Sequence, residues 1–132
     1  MYLYACAALW AMALALNTRD QRTLLLAIFV GASIFTPVPH DTAVHFYTFC
    51  ISAECLVALL AYWSRTRAGD LVFNVCLLLL ITHVLGYSLN GSQALSPYRS
   101  IVKILEVSQL LACIACSPFL SRILRNREAT PE

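Results

Sequence analysis

Charge is what this sequence lacks most: nine basic and seven acidic side chains among 132 residues make 12%, against 60% hydrophobic. Soluble globular chains carry about a quarter of their residues as charged groups, so the composition excludes an ordinary soluble domain. Long polar segments are scarce too. Residues 2–16, 23–36, 43–63, 71–89 and 101–120 are almost wholly apolar, and the joints between them hold only six to eleven residues, which leaves no room for a domain outside a bilayer. The sequence predicts an all-α, polytopic integral membrane protein, a single bundle of five transmembrane helices over residues 1–128, with 129–132 as a disordered tail.

Other absences narrow the class. The joints contain no cysteine, because all six, at 6, 50, 55, 76, 113 and 116, fall in apolar segments. Small disulfide scaffolds place theirs in loops, whereas buried cysteine acts as a small hydrophobe. The Cys113–Cys116 spacing would let two thiols share a helix face, but redox or metal chemistry there is not the expectation. No basic region precedes the first apolar segment and no convincing cleavage site follows it, so residues 2–16 read as a retained span rather than a signal peptide. Signatures of nucleotide sites, lipid enzymes and proteases are missing, and nucleic acid is not an expected partner. Neither a cofactor nor enzymatic activity is expected, and no metal, since no ligand pair has a diagnostic spacing.

The arginines that are present are placed asymmetrically. Arg19, Arg22, Arg65, Arg67, Arg122, Arg125 and Arg127 flank alternate ends of the apolar segments, and only Arg99 and Lys103 lie at the opposite ends. Basic flanks resist translocation. The expected orientation in the inner (plasma) membrane has the N-terminus outside and the C-terminus in the cytoplasm, the arginines also touching anionic lipid.

Local signals set the segment boundaries. Thr18 or Asp20 can cap the second helix, Asp41 or Thr42 the third, Asp70 the fourth and Ser96 the fifth, with Pro97 at its first position. Asn90–Gly91 is a turn signal, and Ser117–Pro118 predicts a kink or stop. Ala7, Ala8, Ala11 and Ala15 make one side of the first span small, and Gly31, Ala32 and Ser33 do the same for the second, which invites close helix approach.

Ionisable groups inside spans are the informative minority, because each costs about 2.5 to 3.5 kcal/mol at a helix centre. Counted at 1.5 Å per residue from the outer ends, Lys103 lies about 4 Å deep, His83 and Glu106 about 9 Å and Glu54 about 16 Å. Lys103, Glu106, Gln109, Cys113 and Ser117 follow one another at intervals of three or four and draw a stripe on one helix face. His83, Tyr87 and Asn90 do so on the fourth span, and Tyr47, Cys50 and Glu54 on the third. Turned toward one another, these stripes would form a polar interior open to the outside. Glu54, His83, Glu106, Lys103 and Gln109 are the expected pore or proton-relay residues, supported by Tyr47, Cys50, Tyr87 and Asn90. Interhelical hydrogen bonds average only about 0.6 kcal/mol, less than the insertion cost of a charge, so packing alone is a poor reason to keep Glu54. Lys103 can snorkel, and His40 and His45 read as interfacial.

These features predict a proton-responsive membrane protein, most simply a homo-oligomer forming a polar-lined permeation path or pore. In its size and basic tail the chain resembles phage holins, and that resemblance implies assembly into a lesion that breaches the membrane. A small proton-coupled transporter or transporter subunit using Glu54 and His83, or an accessory subunit packed against other membrane proteins, are the alternatives.

Overall fold

The computed structural model describes residues 1–37, 42–89 and 95–128, except for the side chains of residues 95, 96 and 124–128. Its regular structure is entirely helical, with no strand among the described residues: α1 (Tyr2–Asn17), α2 (Gln21–Phe35), α3 (Ala43–Ser64), α4 (Arg67–Ser88), α5 (Leu95–Ala115) and α6 (Pro118–Glu128). The expected Asp41 cap, the Asn90–Gly91 turn and the tail 129–132 lie outside the described residues, as does the Ser96 side chain. Two helices, α3 and α4, are long and apolar enough to cross a membrane, with mean hydropathies of 1.7 and 2.0. At 22 residues each they reach about 33 Å. Helices α1 and α2 are apolar but shorter, at 16 and 15 residues.

Side-chain caps decide where the helices begin. Asp20 caps α2 by accepting from the Arg22 backbone N–H at 3.1 Å, and Thr42 caps α3 by accepting from that of His45 at 3.2 Å. The start of α4 corrects the sequence expectation. Thr66, not Asp70, is its cap, accepting from the Gly69 backbone N–H at 3.1 Å, so the helix begins four residues before the expected 71. Asp70 instead occupies the first turn, where its charge complements the helix dipole. The break expected at Ser117–Pro118 is present and divides the segment 101–120: α5 ends at Ala115, and the Ser117 hydroxyl accepts from the Leu120 N–H at 3.3 Å and starts α6 with Pro118 in the first turn.

Sequential helices pack as antiparallel neighbours, and α5 closes the bundle against α1, α2 and α4. One end gathers the α1–α2 and α3–α4 turns: the Arg22 guanidinium lies 6.0 Å above the Trp63 ring, and Tyr62 packs on Phe73. The other end gathers the start of α3, the end of α4 and the start of α5, where Tyr47 meets both Tyr87 and Tyr98 edge-on.

Apolar side chains cover the outside as well as filling the core, and several polar groups lie among the core residues. Leu59, Leu78, Ile81, Val84 and Ile104 are exposed on the outside, while Asn17, Glu54, Ser64, His83, Gln109 and Ser117 are buried. Ala7, Ala8, Ala11 and Ala15 face outward, and α1 packs instead through Cys6, Ala13 and Asn17. On α2 the close approach is to an aromatic ring: a Cβ on Gly31 would sit 2.0 Å from the Trp10 indole nitrogen, which donates to the Ala27 carbonyl at 2.9 Å. Only glycine lets the indole lie flat there and reach that carbonyl.

Candidate functional site: an acid-lined pocket inside the bundle

The polar face of α5 turns inward over most of its length. Gln109, Cys113 and Ser117 are buried at 0%, 1% and 0% exposure, so the three-and-four spacing of the sequence becomes a seam inside the bundle. Around the upper part of that seam the helices leave a cavity of about 210 Å³, lined by α1, α2, α3, α4 and α5. Glu54 from α3, His83 from α4 and Glu106 and Lys103 from α5 all line it, as does Cys50. The three helices thus bring the two acids and the imidazole around one space.

Each group is held differently. Glu54 is 5% exposed and accepts a hydrogen bond from Gln109 Nε2 at 3.0 Å. The same nitrogen lies 3.2 Å from Cys76 Sγ, while Gln109 Oε1 has no partner among the described residues. Gln109 is therefore the floor that orients the carboxylate, with its own oxygen left unsatisfied. Glu106 accepts from the Tyr2 hydroxyl of α1. His83, 3% exposed, is joined through Nδ1 to the Tyr98 hydroxyl at 2.7 Å. Neither carboxylate has a basic group at ion-pair distance among the described residues. Glu54 is buried with no basic group at ion-pair distance among the described residues, which is costly in a protein interior, and the half-buried Glu106, one turn from Lys103, borders the same space, which suits it to a proton or a cation.

Of the other expected residues, Lys103 lines the cavity and Tyr47 packs on Tyr98, which does. Lys103 is exposed, with Nζ 5.2 Å from the centre of the Tyr2 ring. Tyr47 is half-buried and packs at 5.8 Å on Tyr98 and at 5.7 Å on Tyr87, which is itself exposed, so these two form an aromatic rim. His45 is exposed, and Asn90 lies outside the described residues.

Tyr2 and Tyr98 are the members that sequence reasoning missed. Both sit at helix ends, where a phenol usually marks the membrane interface, and no helix spacing links Tyr2 to α5, 104 residues away. One signal for Tyr98 existed in Gly86. A Cβ there would come within 2.9 Å of the Tyr98 ring, and Gly86 lies one turn from His83.

Cys113 and Cys116 are free thiols, buried and half-buried, and Cys113 contributes its carbonyl to a hydrogen bond from Asn17 at 3.0 Å. Among the described residues no group of three or more His, Cys, Asp or Glu is placed to hold a metal. The chain matches no family model, no curated protein and no solved structure.

Proposed function

We propose that this chain is a five-span plasma-membrane protein, N-terminus outside and C-terminus cytoplasmic, that works as a small proton-coupled carrier through the pocket between α3, α4 and α5. The apolar exterior supports the membrane assignment: exposed Leu, Ile and Val surround buried Glu, His and Gln, an arrangement that lipid stabilises and water does not. The arginine-flanked end, with Arg22 stacked on Trp63, fits a cytoplasmic interface. The short α1 and α2 then need flanking polar residues or a thinned bilayer.

The observation that carries the functional reading is that Glu54, His83 and Glu106 line one cavity, neither acid having an ion-pair partner among the described residues. A carboxyl group in such a site exchanges a proton for a cation at little extra cost, because either one neutralises the buried charge. Turning the polar residues inward within a single copy favours a pocket in each protomer over a lining shared between copies. Proton flux into liposomes, followed with a pH-sensitive dye inside vesicles carrying the purified protein, is the test. Flux lost in Glu54→Gln supports the carrier, and flux unchanged in that variant refutes it.

One observation favours the second reading, a homo-oligomeric pore of holin-like character. Ala7, Ala11 and Ala15 are exposed at intervals of four, the small-residue pattern that lets membrane helices associate closely. Dye release from the same liposomes that is insensitive to Glu54→Gln but abolished by Ala11→Leu would select the pore.

A further inference from the structure

The pocket is polarised along its length, and that polarity specifies a ligand class. Arg99, Lys103 and Glu106 all line it from α5 and follow one another at intervals of four and three, so they share one helix face. Arg99 and Lys103 are exposed near the mouth, at the end where α5 begins. Glu106 lies about 10 Å further along the axis than Arg99, and Gln109, which holds Glu54, about 5 Å beyond that. The rim is thus cationic and reinforced by the positive end of the α5 dipole, whereas the depth is anionic. Between them the wall is aromatic and aliphatic, with Phe46, Phe49, Tyr98 and Val102.

Resting on the carrier reading above, we propose that the pocket binds a small zwitterion of the amino-acid type. Its ammonium group points down between Glu106 and Glu54, its carboxylate meets Arg99 and Lys103, and its apolar body lies against the Phe46 and Phe49 side. A simple organic cation would satisfy the acids but pass two like charges at the rim. A simple anion would satisfy the rim but approach two carboxylates. A ligand carrying both charges, in that order, answers Arg99, Lys103, Glu106 and Glu54, and leaves His83 on the Tyr98 hydroxyl. The volume of about 210 Å³ is below the usual range for drug-sized ligands and suits a molecule of about ten non-hydrogen atoms. Tyr2 already places its ring under the Lys103 ammonium and its hydroxyl on Glu106, so it separates the two charged zones as a neutral spacer.

The test uses three probes of one shape: leucine, isopentylamine, which lacks the carboxylate, and 4-methylpentanoate, which lacks the amine. Displacement of tritiated leucine from the full-length protein in nanodiscs is expected to need at least tenfold more of either single-charge probe than of leucine. Arg99→Gln is expected to weaken leucine about tenfold while leaving isopentylamine unchanged, and Arg99→Lys to restore most of the leucine affinity. Glu106→Gln should weaken leucine and isopentylamine together, with an unchanged tryptophan emission spectrum showing that the fold is retained. Equal competition by isopentylamine and leucine overturns the proposal. Absence of leucine binding while Glu54-dependent proton flux persists overturns the zwitterion alone, and absence of both overturns the carrier reading with it.

Discussion

Two buried polar regions of this bundle are built from similar residues and do different things. At the arginine-flanked end, Asn17 of α1 is fully buried, and its amide nitrogen donates to the Ala13 carbonyl at 2.8 Å and the Cys113 carbonyl at 3.0 Å. Ala13 and Cys113, which supply those carbonyls, are both in the apolar core. Toward the other end, Glu54, His83 and Glu106 end on side chains rather than on backbone, and around an open cavity. Asn17 fastens helices through its nitrogen alone, its Oδ1 having no partner among the described residues, whereas side chains that border an open cavity retain the capacity to bind. Charge makes the distinction sharper, since an amide costs less to bury than a carboxylate.

Substitutions can break this contrast, and the largest effect is expected at the pocket. Glu54→Gln should reduce proton-coupled transport by a hundredfold or more while leaving the thermal unfolding midpoint in detergent unchanged or raised, because the amide keeps a bond to Gln109 and removes an uncompensated charge. A large loss of stability in this variant would move Glu54 into the fastening class. Next comes the glycine contact. Gly31→Val drives a side chain into the Trp10 indole and should cost about 1 to 3 kcal/mol or more, read as a lower unfolding midpoint and a shifted tryptophan emission.

Tyr98→Phe removes the hydroxyl that holds His83. Transport should fall about three- to tenfold, with a change in its pH profile, and His83→Ala in the Tyr98→Phe background should add little, because both act through one hydrogen bond. The smallest effect is expected at the fastening site. Asn17→Leu loses the bridge from α1 to α5, worth about 0.6 kcal/mol, and should leave transport within twofold of the unmodified chain. Transport that collapses in Asn17→Leu at unchanged stability would erase the distinction between the two regions.

The sequence carried these regions unequally. Helical segments were readable because apolar runs bounded by Asp20, Thr42 and Pro118 have few other solutions, and the α5 stripe was readable because a period of three and four has one geometric meaning. The start of α4 was not, since both Thr66 and Asp70 are good caps and only tertiary packing selects the earlier one. Gly69 pressed against Ser64 and the Ala61 carbonyl shows that packing. Asn17 follows the apolar segment 2–16 as a polar residue, yet it is the last residue of α1 and wholly inside. The Tyr2–Glu106 and His83–Tyr98 pairs depend on how α1 and α5 lie across the bundle, which no local pattern encodes. Outward-facing Ala7, Ala11 and Ala15 show the same limit, because small residues mark a close approach without saying to which neighbour.

The account stands on an inward pocket reached from one side of the membrane, and Cys50 reports on it directly. This thiol lines the cavity and is half-buried. With the other cysteines replaced by alanine, a membrane-impermeant maleimide added to intact cells should modify Cys50 from the outside, and Glu54→Gln should leave that labelling intact. Labelling only from the cytoplasmic face of inverted vesicles, or only after detergent unfolding, would contradict the account.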